Sequence, residues 1–219
     1  MNAVDVPPSR PIDLVGPLGP IEGLLTLPSS PPVAAAVLCH AHPLYGGIMR
    51  FKLLHRAANA LAAANVAVLR FHFRGVGHSA GTYDHGRGEQ DDCRAALSDL
   101  VRRVPDVPLL VGGFSFGAGV ALSVATDDSR VVRAFALGFP LRNVPARPPI
   151  ERLAWPCLFI QGEADQFGSG PELEQALARL PVRHTLQVVG GSDHFFTDHY
   201  EQVTSILTNW AASRPWESS

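Results

Sequence analysis

The chain has 219 residues, 46% of them hydrophobic and 17% charged, the make-up of an ordinary globular protein with enough apolar material for a sizeable core. A formal net charge of -2 supplies no electrostatic pull toward nucleic acid or an anionic membrane, so neither is expected as a partner. The start of the chain lacks the basic and apolar run of a signal peptide, no segment is long enough to span a bilayer, and three cysteines without metal-type spacing argue against a disulfide framework. A cytoplasmic protein is the expectation.

In chain order, residues 1–11 are rich in proline and read as a loosely held arm. Residues 12–15 and 21–27 read as two strands around the turn Gly16-Pro17-Leu18-Gly19-Pro20. Residues 34–39 are apolar without alternation, as in a strand covered on both faces. After Gly46-Gly47, the residues Met49, Leu53, Leu54, Ala57, Ala58 and Leu61 form a helical stripe, and residues 66–71 return as strand. Beyond a glycine-rich loop at 74–88, Cys93, Ala96, Leu97, Leu100, Val101 and Val104 again have helical spacing. Glu89, Asp91 and Asp92 stand at the end where the helix dipole favours acids. Strands are then expected at 108–112, 131–137, 156–161 and 184–189, and helices at 117–125, 173–180 and 200–210. Residues 213–219 are polar and read as frayed. Such alternation implies βαβ units in a single α/β domain over 1–219, with helices on both faces of a mostly parallel sheet. Cys39, Cys93 and Cys157 fall on apolar runs or stripes and read as small buried hydrophobes.

The pattern G-x-S-x-G occurs twice, and its context separates the copies. Gly113-Phe114-Ser115-Phe116-Gly117 follows an apolar strand and runs directly into an Ala/Val/Leu helix. That is the layout of a nucleophile elbow, a turn so tight that its central residue projects out of the sheet. Gly77-His78-Ser79-Ala80-Gly81 lies between a turn and a glycine-rich stretch that cannot start a helix, so Ser115 is the candidate and Ser79 is not.

In a parallel sheet, loops beyond the carboxyl ends of the strands meet along one edge. Residues 40–43, Ser115, Asp165 and His194 all fall at such ends. The order serine, acid, histidine is that of an α/β-hydrolase triad. His40 and His42, two apart, invite a metal reading, but no third ligand follows at suitable spacing, and a structural role for His40 in bonding loop backbone is preferred.

Four motifs taken together carry a resemblance: His40-Ala41-His42-Pro43-Leu44-Tyr45-Gly46-Gly47, Arg74-Gly75-Val76-Gly77-His78-Ser79, the elbow at 113–117, and Asp193-His194-Phe195-Phe196. From about Ile21 to Trp210 the chain resembles small, lidless bacterial serine hydrolases of the α/β-hydrolase fold and, more distantly, dienelactone-hydrolase-like esterases. The resemblance implies about eight strands and no cofactor or metal. Ser115 is the expected nucleophile, His194 its base and Asp165 the carboxylate that orients the histidine, with Glu163 in reserve and His184 and His199 poorer choices as base. The backbone N–H groups of Phe116 and His42 are the expected oxyanion donors, Ala41 and Leu44 being alternatives for the second. Leu44, Tyr45, Phe139, Phe167 and Phe195 are the expected pocket residues. Arg74 is expected to pair with Glu89 or Asp92 and to shape the loop beside the site.

Residues 140–155, with Pro145, Pro148 and Pro149, leave space for a loop or single helical turn where many relatives insert a lid. An open site for small or exposed ester substrates follows. Acyl transfer or thioester cleavage on the same triad, and a non-catalytic binding protein of the same fold, are the competing readings; the oligomeric state is left open.

Overall fold

The unalternating apolar runs become the interior strands of one eight-stranded sheet in the computed structural model, which describes residues 8–142 and 148–217. The strands are β1 (Arg10–Gly16), β2 (Gly19–Thr26), β3 (Ala34–Cys39), β4 (Val66–Phe71), β5 (Leu109–Phe114), β6 (Val131–Leu137), β7 (Cys157–Gly162) and β8 (His184–Val189). Their order is β1-β2-β4-β3-β5-β6-β7-β8; β1 and β2 form an antiparallel hairpin, β2 lies antiparallel on β4, and all later pairings are parallel.

Because side chains alternate across a strand, each interior strand feeds two cores. In β3, Ala35, Val37 and Cys39 enter one and Ala34, Ala36 and Leu38 the other. The first is covered by α2 (Gly88–Arg103), α3 (Phe116–Asp127) and α4 (Gly170–Leu177), the second by α1 (Lys52–Ala63) and α5 (Tyr200–Ala212). All three cysteines are free and buried. Among the described residues no helix is long and apolar enough to cross a membrane.

Several boundaries differ from the sequence expectation for local reasons. Strand β5 continues through Gly113 and Phe114, which pair with Cys39 and Leu137, and so delivers the chain directly to Ser115. Helix α4 begins earlier, at Gly170, because Ser169 and Glu172 form a reciprocal capping box. The N-terminal arm is shorter than expected. Arg10 and Pro11 already pair with β2, and the Ser9 hydroxyl bonds Thr26 Oγ1 at 2.7 Å and accepts from Arg70 at 2.8 Å; residues 1–7 lie outside the described part. Nor is the C-terminal stretch wholly frayed. Trp216 is buried and packs edge-on against Trp210, an apolar contact that polarity along the segment concealed; residues 218 and 219 lie outside the described part.

Residues 138–156 join β6 to β7, too short a connection for a lid domain. It includes a 3-10 turn, Ile150–Arg152, that buries Ile150; Pro145 lies outside the described residues.

The glycine-rich loop after β4 is held by buried polar groups. Arg74 donates from Nε and Nη2 to the two carboxylate oxygens of Asp92 at 3.0 and 2.8 Å, and its backbone N–H adds a third bond at 2.9 Å. Glu89, the other expected partner, instead accepts from the N–H groups of Asp84 and Gly86. Ser79 donates to His72 O at 2.9 Å and accepts from Glu22 N–H, so its hydroxyl is spent on the turn.

The Arg74 and Asp92 side chains are only 8% and 2% exposed, so removing the carboxylate strands a buried guanidinium. Asp92→Ala should lower the unfolding free energy in urea by about 3 kcal/mol. The exposed Arg56–Glu201 pair is the control, and Glu201→Ala should cost less than about 1 kcal/mol.

Candidate active site

The turn from β5 into α3 is shaped by close backbone approach. A Cβ on Gly113 would lie 2.4 Å from the Gly117 carbonyl carbon, and one on Gly117 would lie 2.3 Å from the carbonyl oxygen of His40. With both glycines pressed in, the residue between them takes up the reversal. Ser115 has φ 56° and ψ -121°, a strained conformation for a residue with a side chain. Its N–H donates to Leu137 O at 3.0 Å and its C=O accepts from Ala118 N–H at 2.9 Å, which fixes the strain in place.

His194 lies on the loop after β8, and its Nε2 is 2.9 Å from Ser115 Oγ. Its Nδ1 is 2.7 Å from Asp165 Oδ2, on the loop after β7. A carboxylate only accepts, so Nδ1 carries the proton and Nε2 is left to accept from the serine hydroxyl. Asp165 and His194 are both 2% exposed, and the imidazole is walled by the rings of Phe114, Phe167 and Phe195 at centroid distances of 5.1, 4.6 and 5.3 Å. Glu163 is not in this chain of bonds and accepts instead from Gly191 N–H. His199 sits beside α5 bonding Thr197 O, and His184 opens β8 at the other end of the sheet.

Sequence reading gave no role to Gln161, a polar residue inside an otherwise apolar strand end. Fully buried, it donates to Asp165 Oδ2 at 2.9 Å and Gly168 O at 2.6 Å, and accepts from Phe139 N–H at 2.8 Å. With Phe167 N–H on Asp165 Oδ1 at 2.8 Å, it satisfies both carboxylate oxygens. A glutamine closing the run Phe159-Ile160-Gln161 was the available signal.

A cavity of about 430 Å³ opens over Ser115 and His194. Of the five residues named from the sequence, Tyr45, Phe167 and Phe195 line it, together with Ala41, His42, Phe114, Phe116, Pro140 and Arg142. Leu44 and Phe139 do not. Leu44 is turned outward at 66% exposure, and Phe139 is buried against Phe159, contributing its backbone to Gln161 rather than a ring to the cavity. Among the described residues no group of three or more His, Cys, Asp or Glu is arranged to hold a metal.

Residues 34–213 match the alpha/beta hydrolase domain family. The chain is 32% identical over 205 residues to an uncharacterised protein of Rickettsia prowazekii, a match spanning 89% of this chain and 85% of that one. Among solved structures, an alpha-beta serine hydrolase homologue from Coxiella burnetii superposes with a TM-score of 0.86 at 29% identity, covering 91% of this chain and 96% of its own. A serine hydrolase without a lid from Xanthomonas campestris gives 0.84 at 31% identity, with 97% of each chain covered.

The loop beside Ser115 rests on a histidine that stays neutral. His40 Nε2 accepts from Phe73 N–H at 3.0 Å, so the proton is on Nδ1, which donates to Ala41 O at 2.7 Å. Burial pushes its pKa down to about 3. The unfolded chain takes up this proton near pH 6.5 and the folded chain does not. The contribution is therefore complete above pH 6.5 and is lost progressively as pH falls from there toward 3. In pH-dependent urea unfolding, His40→Gln should flatten the acid-side slope by up to about 1.4 kcal/mol per pH unit; an unchanged slope would contradict a buried neutral imidazole.

Proposed function

The chain belongs to the alpha/beta hydrolase family, and we propose that it hydrolyses carboxylic esters of small or exposed substrates through an acyl-enzyme on Ser115. The observation that carries this reading is the unbroken hydrogen-bonded run from Asp165 through His194 to Ser115, ending at the floor of the cavity. A serine hydroxyl attacks an acyl carbon only if its proton leaves as the new bond forms, and His194 Nε2 is within reach to take it. Asp165 holds the tautomer that keeps Nε2 open and stabilises the imidazolium that results, without itself taking the proton.

Attack places negative charge on the former carbonyl oxygen. Phe116 N–H, at the start of α3, is the first proposed donor to it, since the helix N-terminus adds a favourable field. For the second, the N–H groups of Leu44, Tyr45 and Gly47 are already committed to His42 Nδ1 or His42 O. Pro43 has none. Of the candidates the sequence offers, His42 N–H is the proposed donor, with Ala41 its alternative. His194 then protonates the departing alcohol, and water repeats the cycle to free the acid and Ser115. The short β6–β7 connection supports a site open enough for exposed esters.

With p-nitrophenyl acetate, Ser115→Ala should lower kcat by on the order of a thousandfold or more, while Ser79→Ala should keep turnover close to that of the parent. Comparable rates in the two variants would sink the assignment.

A further inference from the structure

The cavity walls are mostly aromatic. Among its described lining residues, Arg142 alone carries a permanent charge. It is not a loosely placed surface arginine. The N–H groups of Leu141 and Arg142 both donate to Phe167 O, at 2.9 and 3.1 Å, and the Phe167 ring stands 4.6 Å from that of His194. The arginine backbone is thereby pinned one residue contact away from the reacting imidazole.

A guanidinium has five N–H donors. Here Nη1 reaches Gln166 O at 3.4 Å and Nη2 meets Glu172, which leaves three without a partner among the described residues. Glu172 is itself divided. Its second oxygen accepts from the N–H and hydroxyl of Ser169, both at 2.9 Å, so its charge serves the α4 cap as well as the arginine. The Arg142 side chain remains half exposed.

A neutral apolar ligand seated among these rings would cover part of the guanidinium and strip water from donors it cannot satisfy, which opposes binding. A planar carboxylate would accept two of them at once. We propose that Arg142 selects esters carrying a free carboxylate, so that the substrate class is anionic esters with an apolar spacer between carboxylate and scissile bond. This rests on the ester-hydrolase reading above. The carboxylate belongs either to the acyl part or to the alcohol part of the substrate.

Two matched pairs of esters separate those cases. For the acyl part, kcat/KM is compared between p-nitrophenyl hydrogen adipate and p-nitrophenyl hexanoate; for the alcohol part, between 4-carboxyphenyl acetate and 4-carbamoylphenyl acetate. The charged member of one pair should be preferred by about fivefold or more, the worth of a partly exposed charge pair, and the preference should shrink as salt is raised. Arg142→Gln should bring the ratio close to one and Arg142→Lys should hold it in between, since a point charge keeps attraction but loses the fork. Equal or better use of the neutral member of both pairs by the parent protein, or a preference that survives Arg142→Gln, would overturn the proposal. If Arg142→Gln does not fold, the salt dependence of the parent and the Arg142→Lys ratio decide. Failure of the underlying reading looks different: no ester of either kind is turned over, or turnover does not depend on Ser115.

Discussion

The start of α3 is pressed against the ends of β3 and β5, leaving no space for a Cβ at Gly113 or Gly117. That contact sets everything at the site. It forces the intervening residue to a positive φ, lifts the Ser115 hydroxyl above the sheet edge, and aims the first turn of α3 at the same point. The strain is tolerable because β3 and β5 are buried on both faces and cannot relax around it. The order of strands then matters: β5, β6, β7 and β8 lie side by side and parallel, so the loops after β7 and β8 bring Asp165 and His194 to one end.

Around this apolar frame, the polar groups of the Asp165–His194–Ser115 run and of the His42 loop are fixed by partners that leave each with one defined orientation. Gln161 and Phe167 N–H occupy the Asp165 carboxylate, Asp165 occupies His194 Nδ1, and the single open acceptor on the ring faces Ser115. The His42 loop is set the same way. Leu44 N–H occupies His42 Nδ1, leaving Nε2–H to donate to Tyr83 Oη at 3.1 Å. Buried networks of this kind are costly when one member is missing, which is why so few alternative geometries are open to the site.

That Ser115, Asp165 and His194 share one edge could be read from the chain because each lies on the segment that follows a strand-like run, and the carboxyl ends of such runs converge in a parallel sheet. The second G-x-S-x-G could be set aside for the converse reason, and Ser79 is indeed consumed by the turn between β4 and α2. What escaped sequence reading depends on contacts between distant segments. Phe139 and Phe167 both look like pocket aromatics, yet only the second faces the cavity, because Gln161 draws the backbone at 139 inward. Arg142 lies in a connection without periodicity, and its place beside Phe167 is set by two bonds to a carbonyl 25 or more residues away. Trp216 lies in a polar stretch, and the surface that buries it is supplied by Trp210.

The central claim is that the Ser115 hydroxyl, alone among the serines, is activated by its neighbours. The direct measurement is intact-mass analysis of the folded protein after treatment with a fluorophosphonate, followed by fragment mapping of the adduct. The account predicts a single adduct per chain, on Ser115, that disappears when the protein is unfolded before treatment. A folded protein that stays unlabelled, or a label on Ser79 or elsewhere, would contradict it.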